Sequence, residues 1–298
     1  MYRRKVIEND YQQIRPQADV TSPTIPNDQI AALNRMFEGA APQRILRWAV
    51  AEFHPRLTMA TAFGAEGCCL IHMLAEIEPG VRTFNLDTGY QFPETLELRE
   101  RIKKRYGIAV ELVQPELTVP EYETEHGGPL YRRRPDQCCH DRKVVPLRRA
   151  LAGYHAWVSA SRRDQTADRA LAEAVQWDAR LGLVKVNPLL WWRRRDVWKF
   201  ILAHDVPYNP LHDRGYPSIG CWPCTRAVSA GEHERAGRWA DTSKKECGMN
   251  VIEQPEDPLP HHVSSGVRRH GLLANDVQVG NMRAPGMGDE ADGSVSHQ

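Results

Sequence analysis

A chain of 298 residues is long enough to bury a substantial core, as one large domain or two smaller ones. Its 39 basic residues nearly cancel 38 acidic ones, so bulk charge gives no reason to expect nucleic-acid binding. No apolar run reaches membrane-spanning length, and the basic start Met1-Tyr2-Arg3-Arg4-Lys5 leads into polar residues instead of a signal core, which points to the cytoplasm.

Residues 1–27 are polar and proline-bearing and read as a flexible N-terminal arm. A short helix is expected over Asp28 to Phe37, then a buried strand at Leu57-Thr58-Met59-Ala60-Thr61-Ala62. That strand ends in Phe63-Gly64-Ala65-Glu66-Gly67 and continues into an apolar helix through Ile71, Met73 and Leu74. Strand, glycine turn and helix form a common anion seat, because free backbone N–H groups and the helix dipole face the ligand; two glycines alone also fit an ordinary connection. A second strand, Val81 to Leu86, closes on Asp87-Thr88-Gly89. Pro93 suits the first turn of a helix, with Leu98, Ile102 and Tyr106 on one face and Gly107 as its stop. Further strands are expected at Ala109–Val113, Ala156–Ala160 and Val184–Val186, with helices near Val144–Leu151 and Asp196–Ala203.

Strands alternating with helices predict an α/β fold, a parallel sheet flanked by helices, and ligands in such folds sit at the carboxyl ends of strands. Ala62-Phe63-Gly64, Asp87-Thr88-Gly89 and Ser161-Arg162-Arg163-Asp164 each follow a predicted strand and so converge on one cleft. One catalytic domain is expected over residues 28–251, with residues 252–298, rich in Pro, Gly, His and Asp, as an unpacked tail.

The chemistry rests on seven cysteines, which in a reducing compartment point to metal binding or catalysis before disulfides. Cys138-Cys139 and Cys221-Trp222-Pro223-Cys224 supply four thiolates, enough to close a site for zinc or for an iron–sulfur cluster; spacing alone leaves both open. Cys68 and Cys69 sit in an apolar helix and read as small core residues. Cys247 stands apart beside Lys244, Lys245 and Arg238, neighbours that favour a thiolate. Basic residues also crowd the expected cleft at Lys143, Arg162, Arg169, Arg235 and Arg238, which suits a small, multiply charged anion. Arg132–Arg134 and Arg193–Arg195 read as solvated surface charge.

Together these stretches resemble the assimilatory adenylylsulfate (APS) and phosphoadenylylsulfate (PAPS) reductases of the adenine nucleotide alpha hydrolase-like fold. The resemblance is carried by Phe63-Gly64-Ala65-Glu66-Gly67, Leu86-Asp87-Thr88-Gly89, Cys138-Cys139-His140-Asp141-Arg142-Lys143 and Arg162-Arg163-Asp164-Gln165. It continues in Pro207-Tyr208-Asn209-Pro210-Leu211-His212, Gly220-Cys221-Trp222-Pro223-Cys224, His233-Glu234-Arg235-Ala236-Gly237-Arg238-Trp239 and Glu246-Cys247-Gly248-Met249, in order over residues 45–250.

The resemblance implies a [4Fe–4S] cluster on Cys138, Cys139, Cys221 and Cys224, and Cys247 as nucleophile toward the sulfur of APS. AMP then leaves, and thioredoxin or a similar thiol donor releases sulfite. It implies that Phe63, Gly64, Leu86, Asp87, Thr88 and Gly89 hold the nucleotide. Lys143 is implied between cluster and substrate, and Arg162, Arg169, Arg235 and Arg238 with the phosphosulfate. The full cysteine set goes in this family with APS; a PAPS reductase that kept the cluster is the alternative, and a non-catalytic, zinc-stabilised nucleotide-binding protein is a third reading. Asn250 stands where the family's final motif usually has histidine, and Ala62 where serine is common. No fused thioredoxin-like domain is evident, so the reductant is expected to be a separate protein, and the oligomeric state, a homo-oligomer included, is left open.

Overall fold

The structure, a computed structural model, describes residues 25–240 and 242–249. Most of the expected N-terminal arm, the tail over 252–298 and Asn250 lie outside the described residues.

The chain opens with α1 (Asn27–Met36) and α2 (Pro42–Phe53), and the latter buries Ile45, Leu46, Trp48, Ala49 and Phe53 at helical spacing. The expected alternation follows as β1 (Leu57–Thr61), α3 (Ala65–Ile77), β2 (Arg82–Leu86), α4 (Pro93–Tyr106) and β3 (Glu111–Val113). In α4, Pro93 sits in the first turn and Gly107 ends the helix at φ 71°. Glu94 near the start and Lys103, Lys104 and Arg105 near the end complement the helix dipole.

Short helices α5 (Val119–Glu125), α6 (Leu130–Arg133) and α7 (Pro135–Cys139) lead into a π-helical turn, His140–Val144, and then α8 (Val145–Leu151). The fold continues with β4 (Ala156–Val158), α9 (Ala167–Ala170), β5 (Val175–Asp178), β6 (Leu183–Val186) and α10 (Arg194–His204), with short 3-10 turns at Arg163–Gln165, Pro210–Arg214 and Trp222–Cys224.

The six strands form one sheet in the order β3-β2-β1-β4-β6-β5. All neighbours pair in parallel except β5, which runs antiparallel to β6 at the edge. The expected parallel α/β sheet is therefore present with one antiparallel edge strand added. β1 and β4 are central and buried, in register Leu57 to Ala156 and Met59 to Val158. One core joins α1–α4, the central strands and α10; a second, smaller cluster around Phe84, Leu86, Leu147, Trp157 and Leu183 covers the other face. Cys68 and Cys69 are fully buried in the first core, and burial pushes the Cys68 thiol up to about 12.

Candidate active site

A cavity of about 190 Å³ opens at the carboxyl ends of β1, β2 and β4. Its floor is the turn after β1. Phe63 adopts a left-handed backbone, φ 54°, which costs a non-glycine residue about 1–2 kcal/mol. Its fully buried ring and a hydrogen bond from its N–H to Thr61 Oγ1, 3.0 Å, hold that geometry. Gly67 lets α3 start close to the strand, because a Cβ there would fall 2.6 Å from Thr61 Oγ1.

On the β2 side, a chain of amides runs from the backbone to the cavity wall. Asn85 Nδ2 donates to the Thr61 carbonyl (2.8 Å), and Gln91 Nε2 donates to Asn85 Oδ1 (2.6 Å) and to the Leu86 carbonyl (2.8 Å). Gln91, Thr95, His212 and the β4-end residues Trp157, Ser159 and Ser161 complete a largely neutral wall.

The opposite end is cationic. Lys143, Arg169, Arg235 and Arg238 line it together with Cys247. Lys143 projects from the π-helical turn, where the Val145 N–H reaches back five residues to the His140 carbonyl. Such a bulge re-aims the residues it contains and is frequent at functional sites. Arg238 lies over the Trp239 ring, 4.5 Å from its centroid, and donates to the Ile219 carbonyl at 3.3 Å. Gly220 leaves room for that guanidinium, since a Cβ there would come within 2.5 Å of Arg238 Cζ.

Cys247 is buried, and burial alone would push its thiol up. The Lys143 ammonium, an N–H from Met249 and Arg238 outweigh burial and the opposing Glu246, so the thiol is held below its ordinary value. Burial lowers Arg235 to about 10, with Glu246 opposing and Arg169 and Arg238 adding to the shift. Glu246, next to Cys247, accepts from Arg169 Nε (2.8 Å) and Nη2 (3.0 Å), from Thr166 Oγ1 (3.1 Å) and from Arg235 Nη2 (3.3 Å). Its own burial favours the neutral acid, but those donors hold its carboxyl below the usual range.

Beside this end lies a narrow recess lined by Cys138, Cys139, Cys221 and Cys224 with Thr88, Tyr90 and Arg142. Lys143, Thr88 and Cys221 line both recess and cavity. The vicinal pair comes from α7. The Cys221–Cys224 loop is stitched to the following segment by a bridge between Thr225 and Arg238 and by the Trp239 N–H on the Cys224 carbonyl, 3.0 Å. Burial and mutual repulsion among the thiols push Cys138 up to about 12 and Cys224 up to about 11. A cationic centre would reverse that repulsion and deprotonate the set.

Among the described residues, no group of three or more His, Cys, Asp or Glu side chains is arranged to hold a single metal ion. Four cysteines line one recess, and four thiolates are a donor set that suits zinc or an iron–sulfur cluster.

The expected site residues thus divide. Gly64, Leu86, Thr88, Lys143, Arg169, Arg235, Arg238 and Cys247 line the cavity. Phe63, Asp87 and Gly89 lie in its supporting turns: Asp87 Oδ1 accepts from the Gly89 N–H at 3.0 Å and Oδ2 from Gln114 Nε2 at 2.8 Å. Gly89 has φ 75°, and a Cβ there would meet Val119 at 2.6 Å. Arg162 is fully buried among Glu66 (3.2 Å), Asp164 (3.1 Å) and Glu234 (2.7 Å), away from the cavity surface. Sequence reasoning did not assign Thr61, Asn85, Gln91, Trp157 or Glu234 to the site. Only their positions at the ends of strands and in the turns marked it.

A largely parallel sheet with a cation-lined cavity at its carboxyl edge defines a nucleotide-binding α/β protein. Residues 56–227 match the family model of the phosphoadenosine phosphosulfate reductase domain, and the chain belongs to that family. It is 43% identical to the adenosine 5'-phosphosulfate reductase of Salinibacter ruber, over 77% of this chain and 91% of that protein. It is 46% identical to the phosphoadenosine 5'-phosphosulfate reductase of Gloeobacter violaceus, over 74% and 92%. Among solved structures, a phosphoadenylyl-sulfate reductase from Candida auris, in a phosphate complex, superposes with a TM-score of 0.62 at 31% identity, covering 70% of this chain and all of that one.

Proposed function

We propose that this protein reduces adenylylsulfate to sulfite and AMP with electrons from a thiol donor, acting through Cys247. The observation that carries the reading is a single buried cysteine with a depressed thiol at the cationic end of a cavity whose lining elsewhere mixes neutral polar and apolar side chains with the carboxylates Glu66 and Glu234. The Cys247 thiolate attacks the sulfate sulfur, the new S–S bond forms as the S–O bond to AMP breaks, and the phosphate of AMP carries away the charge. Lys143, Arg169, Arg235 and Arg238 offset the negative oxygens during that transfer. A donor thiolate then attacks the Cys247 sulfur and displaces sulfite, and a second thiol closes the donor's disulfide. The balance is one APS and two thiols giving sulfite, AMP and one disulfide. Thioredoxin is the proposed donor and the cytoplasm the proposed compartment.

Cys138, Cys139, Cys221 and Cys224 would hold a [4Fe–4S] cluster, which supplies structure and local electrostatics beside Lys143. The catalytic domain is taken to span residues 28–251. Preference for APS over PAPS is supported by the complete cysteine set and by the adenosine 5'-phosphosulfate reductases of Salinibacter ruber and Bacillus subtilis, the latter 44% identical. The similarity to the Gloeobacter violaceus protein favours the PAPS reading as the alternative. Sulfite release from the two nucleotides, assayed side by side with thioredoxin and excess reductant on anaerobically purified protein, separates them.

A further inference from the structure

The segment that carries Cys247 is held on both sides of the sulfur. Before it, the Glu246 carboxylate is bound by Arg169, Thr166 and Arg235. After it, the Gly248 carbonyl accepts from Arg180 Nη1 at 2.8 Å, and the Met249 carbonyl lies 3.5 Å from Arg180 Nη2. Arg180 sits in the turn between β5 and β6, outside the cavity lining, and its Nη2 is 3.4 Å from the buried carboxylate of Asp178 at the end of β5.

The Gly248 carbonyl and the Met249 N–H belong to one peptide unit, and in a trans peptide they point in opposite directions. Arg180 holds the carbonyl, and the N–H of the same unit faces the Cys247 sulfur. The reversal needed to bring that N–H back over the sulfur is made at Gly248, whose φ is 84°.

We infer that Arg180 is a positioning residue for the reaction: by gripping the 248–249 peptide it aims the Met249 N–H at the Cys247 sulfur and fixes that sulfur at the cationic end of the cavity. The guanidinium spans two successive carbonyls, which a planar fork can do and a single ammonium does less well. Arg180 touches neither substrate nor reacting atom and acts through that peptide. The inference rests on Cys247 as the reacting thiol.

The test uses full-length holoprotein with Arg180→Met and Arg180→Lys. Single-turnover AMP release from APS, with enzyme in excess, should slow at least tenfold in Arg180→Met and recover to within about threefold of wild type in Arg180→Lys. AMP affinity should stay within twofold in both, so kcat falls while nucleotide binding holds. Hydrogen exchange at the Met249 amide should accelerate at least tenfold in Arg180→Met, a readout that needs no turnover. Wild-type AMP release by Arg180→Met, AMP affinity lost in step with rate, or unchanged Met249 exchange would each overturn the inference. A wild-type protein that released no AMP would instead refute the functional reading and leave the exchange result to judge Arg180.

Discussion

Gly220→Ala isolates the contribution of one cation without touching a charge. A Cβ at Gly220 would sit 2.5 Å from Arg238 Cζ and 3.1 Å from its Nε, so the guanidinium must leave its place over Trp239. Gly220 does not have positive φ, so alanine imposes no backbone strain there, and such a change usually stabilises by about 0.4–1 kcal/mol through the unfolded chain. Stability and activity should therefore separate. Losing one charge-assisted contact to the transferring group costs about 1.5–3 kcal/mol, or roughly 10- to 150-fold in kcat/KM for APS. The assay is initial-rate sulfite release, with thermal unfolding measured on the same samples. Arg238→Met should lose a similar amount, and adding Gly220→Ala to it should cost nothing further, because the displaced group is already gone. A Gly220→Ala rate within twofold of wild type, or full additivity in the double variant, would refute the assignment of Arg238 to the anion.

Other consequences are equally direct. Cys247→Ser should abolish sulfite production while iron content stays at the wild-type level, checked by colorimetric iron and sulfite assays. Cys139→Ser or Cys224→Ser should lose iron and lower the unfolding temperature, since metal binding and folding are coupled. Lys143→Met removes the leading influence that offsets burial of Cys247, so the pH midpoint for alkylation of that thiol should move upward; a downward move would reverse the assigned electrostatics. Lys185, buried on β6 beneath the Trp157 ring, has its ammonium lowered by burial to about 8, with Asp178 opposing. The folded protein then binds fewer protons than the unfolded chain between about pH 8 and the ordinary lysine value. Denaturant stability relative to Lys185→Met should accordingly rise with pH across that window and be flat below it.

Much of the fold was legible because its strands are apolar runs closed by turn residues, as at Thr61-Ala62-Phe63-Gly64 and Leu86-Asp87-Thr88-Gly89. β5 was missed because Val175-Gln176-Trp177-Asp178 mixes buried and half-buried positions at a sheet edge, where neither alternation nor an apolar run is required. The π-helical turn has no local signal distinct from an α-helix, yet it places Lys143 in both the cavity and the cysteine recess. Among the arginines, sequence position marked which follow a strand but not which way each guanidinium faces. Arg162 turns inward to three carboxylates, whereas Arg169 reaches the cavity through the short helix that follows. Arg180 gave no signal, because its role depends on a peptide far along the chain that folding brings beneath it.

The central claim is that Cys247 takes the sulfonate group from adenylylsulfate. Incubating anaerobically purified protein with ³⁵S-labelled APS or PAPS in the absence of thiol, then mapping the label by peptide mass, tests it most directly. Label from APS on the peptide bearing Cys247, in one-to-one yield with AMP and discharged as sulfite on adding thioredoxin, is the expected result. Label from PAPS alone, or AMP release with no label on Cys247, would contradict it.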